Sequence, residues 1–364
     1  MSQLDVFHRN LAGGDSCLHC GLCMSYCAWD AYEATHPGQQ GDPTICRDCM
    51  LCFRVCTRAH SNHAELEPEL FGAARENALL GYYRSAWAAK VPLKSAGVQD
   101  AGVTTALLTF LLEQKQIDAA LVTGRDAEWR PQPMIATTPA EVQAAAGSKY
   151  TAAAALSQLK PALEQFTRLA FVGTPCQVAS LRNLQRRQDS RYPAERIVVV
   201  LGLFCAESFT YGERGVRGIA QWVESDLGIP LTSATRFDIK KNNLLVSDAE
   251  RTEGRPLGEI RDLSWPICHS CQDFTAELAD ISIGAVGSKA DENTLLVRSA
   301  RGAELVEQAR EQGILELGEV RSFAILEKIA QDKHARREEL MPEEAQFLLK
   351  RTIRGNRKKA GGKD

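Results

Sequence analysis

The stretch CLHCGLCMSYC, residues 17–27, decides the fold of the amino-terminal part, and it returns as CRDCMLCFRVC over residues 46–56. Both runs have the spacing Cys-x2-Cys-x2-Cys-x3-Cys, and they contain eight of the twelve cysteines of the chain. Few apolar side chains lie between them, so this part has little material for a hydrophobic core. We therefore expect bound metal to stabilise its fold.

The doubled spacing predicts two 4Fe–4S clusters. Three thiolates of one run wrap a cluster and the last thiolate of the other run completes it, as in two-cluster ferredoxins. Zinc sites use four ligands as two pairs, which fits a doubled four-cysteine run poorly. The predicted ligands are, for the first cluster, Cys17, Cys20, Cys23 and Cys56, and for the second, Cys46, Cys49, Cys52 and Cys27.

Composition narrows the class of protein. The 364 residues carry a net charge of −3, so there is no strong field for nucleic acid or anionic lipid. The first 16 residues lack the basic and apolar regions of a signal peptide, and no apolar run reaches the ~18 residues of a membrane span. We expect a cytoplasmic protein, in which dense cysteines bind metal rather than form disulfides.

The pattern along the chain predicts four parts. Alternating helices and apolar strands, such as IDAALVTG (117–124) and RIVVVLGLFC (196–205), favour an α/β domain with a mainly parallel sheet and a small inserted β region over 230–265. The basic tail fits a solvated end or a contact with an acidic partner subunit. The predicted parts are a ferredoxin-like module at 1–62, a helical linker at 63–90, the α/β domain at 91–320 and a helical extension with a basic tail at 321–364.

Four further cysteines lie outside the doubled run. Cys176 and Cys205 each follow an apolar strand, and the carboxyl ends of parallel strands meet at one edge of a sheet. Cys268 and Cys271 form a pair with the spacing of a metal-binding loop, and His269 between them is interpreted as structural. The four thiols make one ligand set for a third cluster, while ordinary buried cysteines remain the alternative.

Two small-residue loops suggest a nucleotide site, although the chain has neither GxGxxG nor a Walker A motif. SAGVQDAG (95–102) precedes a helical run, so its backbone N–H groups could approach a phosphate. GSKY (147–150) adds a cation and an aromatic ring. Such a loop is more often an ordinary helix entry, and a lone lysine is usually solvated, so these alternatives stay open.

These motifs follow one another in the order QDAGVTTALL, GSKY, GTPCQ, GLFC and CHSCQDFTAELADISIGAVG. Over roughly residues 85–320 the chain resembles the beta subunits of coenzyme F420-reducing hydrogenase, F420-linked formate dehydrogenase and F(420)H(2) dehydrogenase. The same superfamily includes 7-hydroxymethyl chlorophyll a reductase. Ala101-Gly102 stands where family members commonly have two glycines.

The resemblance implies FAD and 4Fe–4S clusters, with the flavin exchanging hydride with an 8-hydroxy-5-deazaflavin. It implies that the cluster nearest the flavin is held by Cys176, Cys205, Cys268 and Cys271. It assigns the FAD phosphate or ribose to Gln99, Asp100, Gly102, Thr104 and Thr105. It assigns the isoalloxazine side to Gly147, Ser148, Lys149 and Tyr150, with support from Gly173, Thr174 and Pro175. Lys149 is the candidate catalytic residue, because it could tune the flavin electrostatically.

The leading functional hypothesis is an iron–sulfur flavoprotein subunit of a larger complex. It would pass electrons between a hydride carrier, coenzyme F420 or a similar molecule, and a partner oxidoreductase or electron-carrier subunit. One alternative is a ferredoxin-dependent FAD reductase of an organic substrate such as a tetrapyrrole. The other is a relay subunit without an enzymatic site.

Overall fold

The computed structural model describes residues 17–32, 45–47, 49–60, 63–92, 101–212 and 217–335. Gln99, Asp100 and the basic tail therefore lie outside the described residues. The strands of the described part are β1 Ser85–Lys90, β2 Ala119–Arg125, β3 Pro131–Ala136, β4 Leu169–Gly173, β5 Ile197–Leu203, β6 Arg236–Lys240, β7 Asn243–Ser247, β8 Thr252–Pro256, β9 Ile281–Gly284, β10 Asn293–Val297 and β11 Glu316–Gly318.

Helices of the described part are short, and none of them is long and apolar enough to cross a membrane. Short 3-10 turns at Ala155–Gln158 and Pro266–Ser270 border the sites discussed below. The α-helices are α1 Leu22–Tyr26, α2 Leu51–Val55, α3 Thr57–His60, α4 His63–Phe71, α5 Val103–Glu113, α6 Pro139–Ala144, α7 Leu159–Gln165, α8 Pro175–Gln185, α9 Ile219–Asp226, α10 Ala300–Glu311 and α11 Phe323–Ala335.

The main sheet has the strand order β11-β1-β10-β9-β5-β4-β2-β3. Its four central strands, β9, β5, β4 and β2, run parallel, as the continuous apolar strands predicted. Antiparallel pairs flank them on both sides, because β3 returns beside β2, while β10 and β11 pair with β9 and β1. The fold is therefore α/β with a mixed sheet.

The prediction of a helical linker at 63–90 is wrong in its last part. α4 covers 63–71, but SAWAAK at 85–90 forms β1, which pairs with β10 from Ser85 opposite Val297. Alanine favours helices in isolation, yet Ala88 and Ala89 are buried between two strands, and this burial overrides the weak local preference. α7 begins at Leu159, directly after the 3-10 turn Ala155–Gln158.

The inserted β region expected at 230–265 is a three-stranded antiparallel sheet of β6, β7 and β8. It has its own apolar cluster, in which Trp129 contacts Phe237 with ring centroids 4.6 Å apart. The indole N–H of Trp129 donates to the carbonyl of Ala234 at 2.9 Å, which ties this sheet to the loop between β2 and β3.

The cysteine module packs directly on the main sheet's domain. The Leu156 N–H donates to the Cys20 carbonyl at 2.9 Å, and the Ser25 hydroxyl donates to the Leu156 carbonyl at 2.6 Å. Gly21 has a φ of 83°, and a Cβ there would lie 2.8 Å from the Ser157 nitrogen. Glycine is therefore required both for the turn and for the close approach. The module also contributes to the domain core through Leu22, Tyr26 and Val55.

Gly202 in β5 offers a test of this packing. A Cβ at Gly202 would lie 2.4 Å from the Ala276 Cβ, whereas one at Gly318 would meet nothing within 4 Å. We expect Gly202→Ala to lower the free energy of unfolding by about 1–3 kcal/mol, the usual cost of overpacking. Urea denaturation under anaerobic conditions measures the change, with Gly318→Ala as the control. Equal stability of the two variants would contradict the close approach.

Candidate functional site

All twelve cysteines lie in described residues, and none of them forms a disulfide with another described cysteine. The eight cysteines of the module line two cavities. The outer module cavity has about 380 Å³ of empty volume, the inner module cavity about 440 Å³, and the inner one also touches Cys52. The division matches the one that swapped ligation requires. The four predicted ligands of each are, for the outer cavity, Cys27, Cys46, Cys49 and Cys52, and for the inner cavity, Cys17, Cys20, Cys23 and Cys56.

The repeat in sequence is also a repeat in local structure. Each run forms a loop and then a one-turn helix, α1 or α2, after a residue with positive φ, Gly21 or Met50. At the end of each helix, the N–H of the fourth cysteine donates to the carbonyl of the third. The distance is 3.1 Å both from Cys27 to Cys23 and from Cys56 to Cys52. The helix therefore separates the fourth thiol from its own loop, which lets it serve the other cavity.

Burial makes these thiols costly to ionise. Burial raises the pKa of Cys23 well above its usual value, and the charges of Cys17 and Cys20 raise it further. Thiolates are the form that binds metal, so a cation must offset this cost. No three His, Cys, Asp or Glu side chains among the described residues are close enough for a single ion. A cluster spreads its thiolates over several iron atoms and so suits wider spacing.

The four remaining cysteines come from three elements, and we call them the domain site: Cys176, Cys205, Cys268 and Cys271. Cys176 lies in the first turn of α8, where Pro175 begins the helix and the Thr174 N–H donates to the Gln177 side chain at 2.9 Å. Cys205 follows β5, and its N–H donates to the Phe274 carbonyl at 2.9 Å.

Ser208 contacts two thiols of the domain site, because its hydroxyl oxygen lies 4.0 Å from the Cys205 sulfur and its carbonyl oxygen lies 3.8 Å from the Cys268 sulfur. Burial raises the pKa of Cys176, and the charges of Cys271, Cys205 and Cys268 add to the rise. The position of Cys176 at a helix N-terminus works in the opposite sense, because the helix dipole favours a thiolate. The residues therefore fit an anionic iron–sulfur group, and the third cluster itself stays a prediction.

α8 joins the domain site to the inner module cavity. Cys176 lies at its first turn, and Ser180 one turn later lines the inner module cavity and accepts from the Thr57 hydroxyl at 2.8 Å. Asn183 then donates to the Val55 carbonyl at 2.9 Å. A second link is the stack of His19 on Trp265, with ring centroids 3.9 Å apart, next to the Pro266–Ser270 turn.

The sequence did not predict two cations that lie near cysteines, Lys333 at the domain site and Arg58 at the inner module cavity. Lys333 in α11 is 2% exposed, and its Nζ donates to the carbonyls of Cys205 at 2.5 Å and Asp273 at 2.7 Å. Arg58 lines the inner module cavity. The one sequence signal for Lys333 is its spacing from buried Leu326 and Ala330, which places the three on one face of α11.

The described end of the first expected cofactor loop, Ala101-Gly102, lies at the carboxyl edge of the parallel strands. Gly102, with a φ of 74°, directly precedes α5, and Thr104 and Thr105 are in the first turn of this helix. The Val103 N–H donates to the Asn293 side chain at 3.4 Å, and this hydrogen bond holds the start of α5 in place. Gly173 ends β4 at this edge, directly before Thr174 and Pro175. Ligand sites of open α/β sheets occur at this edge.

GSKY reaches the same edge and also contacts the inserted sheet. Burial lowers the pKa of Lys149 to about 7, and the charge of Arg125 at the end of β2 contributes. The Lys149 ammonium donates to the Ala145 and Ala146 carbonyls. The Tyr150 hydroxyl accepts from the Ile239 N–H of β6 at 3.2 Å, so Tyr150 also holds the inserted sheet in place.

Comparison with known proteins identifies the family. Residues 85–160 match the model of the coenzyme F420 hydrogenase/dehydrogenase beta subunit N-terminus, and residues 166–322 match that of its C terminus. The chain belongs to this family. The resemblance predicted over residues 85–320 is thereby confirmed, and β1 begins at Ser85 where the match begins.

Relatives of this beta-subunit family extend the comparison. The chain is 34% identical over 248 residues to coenzyme F420 hydrogenase subunit beta of Methanothermobacter thermautotrophicus, covering 66% of this chain and 86% of the relative. It is 31% identical over 330 residues to the coenzyme F420-dependent sulfite reductase of Methanocaldococcus jannaschii, covering 87% of this chain and 48% of the relative. A chain of the F420-reducing nickel–iron hydrogenase complex from Methanosarcina barkeri has a TM-score of 0.67 at 29% identity, covering 72% of this chain and 92% of that chain.

His63 on α4 links the module side to the loop after the domain site. Burial lowers the pKa of His63, but the hydrogen bond with Glu277 and the charge of Asp273 outweigh it and raise the pKa above 6.5. The Nδ1 atom lies 3.4 Å from Glu277 and 3.9 Å from Asp273. A raised folded pKa stabilises the protein below the unfolded pKa and stops doing so as the pH rises through the folded one.

We expect His63→Gln to lose about 1–3 kcal/mol of stability below pH ~6.5, the size of a hydrogen bond between charged groups. The loss should shrink as the pH rises above this value. Urea denaturation between pH ~5.5 and ~8 measures it. Glu277→Gln provides the double-mutant cycle, in which the coupling with His63 should vanish at high pH. A loss that does not depend on pH would contradict the charged pair.

Proposed function

We propose that the chain is an iron–sulfur flavoprotein subunit that passes electrons between a hydride carrier of the F420 type and a partner oxidoreductase. One observation carries the proposal. The domain site lies at the sheet edge that also holds Gly102 and Lys149, and α8 connects this site to the inner module cavity. A hydride site and a path for single electrons would therefore share one edge of the sheet.

The residues fit these groups as follows. The two module cavities and the domain site would each hold one 4Fe–4S cluster with four thiolates. The backbone N–H groups at the start of α5 would bind the FAD phosphates, because a helix N-terminus favours anions. When bound, FAD would supply the exchange between a two-electron hydride and single electrons.

The path would end at the outer module cavity. Cys49, which lines this cavity, is exposed, and Trp29, which also lines it, is 40% exposed. Ile45, directly before Cys46 in the chain, is 39% exposed. Exposed aromatic and apolar side chains near a proposed redox centre suit contact with a partner subunit. The relatives support both carrier and partner, since the Methanosarcina barkeri chain comes from an F420-reducing hydrogenase complex.

Reduced F420 tests the proposed function directly. We expect the flavin absorbance of the oxidised, anaerobic protein to bleach when reduced F420 is added. Bleaching with reduced ferredoxin but not with F420 would favour the reductase of an organic substrate instead. Full iron content without any flavin would favour a relay subunit and contradict both enzymatic functions.

Cofactor content tests the third cluster. We expect about 12 Fe and one FAD per chain in anaerobically prepared protein, because three clusters hold four irons each. The double variant Cys268→Ala/Cys271→Ala should retain about 8 Fe, with the module clusters intact. About 8 Fe in the unaltered protein would leave the domain site as ordinary thiols.

Lys149 gives a prediction about pH. Its pKa of about 7 means that the side chain of the free protein is charged below about pH 7 and neutral above it. An anionic part of FAD beside it would favour the charged form, so FAD binding takes up a proton above pH ~7. The affinity for FAD should then fall by up to about tenfold per pH unit.

Fluorescence titration of the flavin-free protein between pH ~6 and ~9 measures this affinity. Lys149→Met should bind FAD more weakly at pH ~6 and should not depend on pH, whereas the exposed Lys328→Met should match the unaltered protein. The same pH dependence in Lys149→Met would rule out Lys149 as the group responsible.

A further inference from the structure

Two buried cations reach the domain site from segments outside the family match, which covers 85–160 and 166–322. Arg58 belongs to α3 of the cysteine module, and Lys333 belongs to α11. Neither lies in a motif of the α/β domain, and the proposed function assigns no role to either. Their positions relative to the cysteines are nevertheless specific.

Lys333 is anchored to the domain site. Its Nζ donates to the Cys205 carbonyl at 2.5 Å and to the Asp273 carbonyl at 2.7 Å, and the side chain is 2% exposed. Burial opposes its charge, but the charges of Cys271, Cys205 and Cys268 outweigh burial and raise the pKa of Lys333. The ammonium group is thus held beside three of the four thiols of the domain site. Both carbonyls that accept from Lys333 belong to residues at the domain site and not to the module.

Arg58 interacts electrostatically with cysteines of both sets. It lines the inner module cavity together with Cys17 and Cys56. Burial lowers its pKa, and the opposing charges come from Cys56, Cys271 and Cys17, so its guanidinium also senses the domain site. Its Nε atom is buried and has no hydrogen-bond partner in the part of the chain that the structure describes. A buried donor without a partner is costly unless a nearby negative group compensates it.

A cation in this position changes the energy of electron uptake. A cluster becomes more negative by one charge when it is reduced, so a fixed positive charge stabilises the reduced form more than the oxidised form. The effect is large where water is excluded, because screening is weak there. The charge of Asp273 also acts on Cys205 and Lys333, and this residue is unchanged in every comparison below.

We infer that Lys333 raises the reduction potential of the cluster in the domain site alone, and that Arg58 raises the potentials of this cluster and of its neighbour in the inner module cavity together. The two residues would thus set the difference in reduction potential between the neighbouring clusters. This inference rests on the proposed function, since it presupposes a cluster in the domain site.

A redox titration followed by electron paramagnetic resonance tests the inference on the full chain. Lys333→Gln and Arg58→Gln remove the charge and keep a hydrogen-bond donor. At a fixed potential we expect a roughly tenfold lower ratio of reduced to oxidised cluster, which is about 59 mV for a one-electron couple. One cluster should shift in Lys333→Gln and two in Arg58→Gln. The Cys268→Ala/Cys271→Ala protein identifies the signal of the domain site by its loss.

Control variants distinguish a shift in potential caused by the lost charge from one caused by altered structure. Lys328 on α11 and Arg54 on α2 are exposed, so Lys328→Gln and Arg54→Gln should leave all potentials unchanged. Lys333→Arg keeps the charge and should restore the potential of the unaltered protein. A shift in Lys333→Arg as large as that in Lys333→Gln would overturn the electrostatic role.

The remaining outcomes are also decisive. About 8 Fe in the unaltered protein would remove the third cluster and thus the proposed function. About 12 Fe with unchanged potentials in both glutamine variants would overturn this inference alone. If Lys333→Gln loses iron from the domain site, Arg58→Gln decides, because it must still shift two clusters in one protein.

Discussion

The structure depends on the double attachment of helix α8. Its first turn presents Cys176 to the domain site, and its later turns hold the cysteine module through Ser180 and Asn183. Because one rigid helix does both, the distance between the domain site and the inner module cavity is fixed by the fold and not by a flexible linker. Electron transfer over several steps requires such fixed distances, and this chain obtains them from ordinary helix packing.

Buried thiols give a physical reason to expect the fold to depend on bound metal. Cys20, Cys23 and Cys176 all have their pKa values raised by burial, so their ionised forms are unfavourable in the protein alone. Bound iron would supply the positive charge, and the folded state would gain stability from it. Arg58 and Lys333 would act in the same direction, because cations near a buried anionic group reduce the free-energy cost of its charge.

Much of the fold and of the site could be read from the sequence, since cysteine spacing and apolar strands are local patterns. The parallel strands β4 and β5 and the placement of the eight module cysteines around two cavities follow from such patterns. Strand β1 could not be predicted, because SAWAAK becomes a strand only through pairing with residues more than 200 positions away. Lys333 was missed for the same reason, since a lysine in a charged helix gives no sign that the helix packs against Cys205.

The central claim is that electrons from the flavin-type domain reach the cysteine module through the domain site. Rapid mixing of oxidised protein with reduced F420, followed by freeze-quench electron paramagnetic resonance, tests it most directly. In the unaltered protein the flavin should bleach first and the module clusters should then become reduced. In Cys268→Ala/Cys271→Ala the flavin should still bleach while the module clusters stay oxidised on the same timescale. Equally fast reduction of the module clusters in this variant would contradict the account.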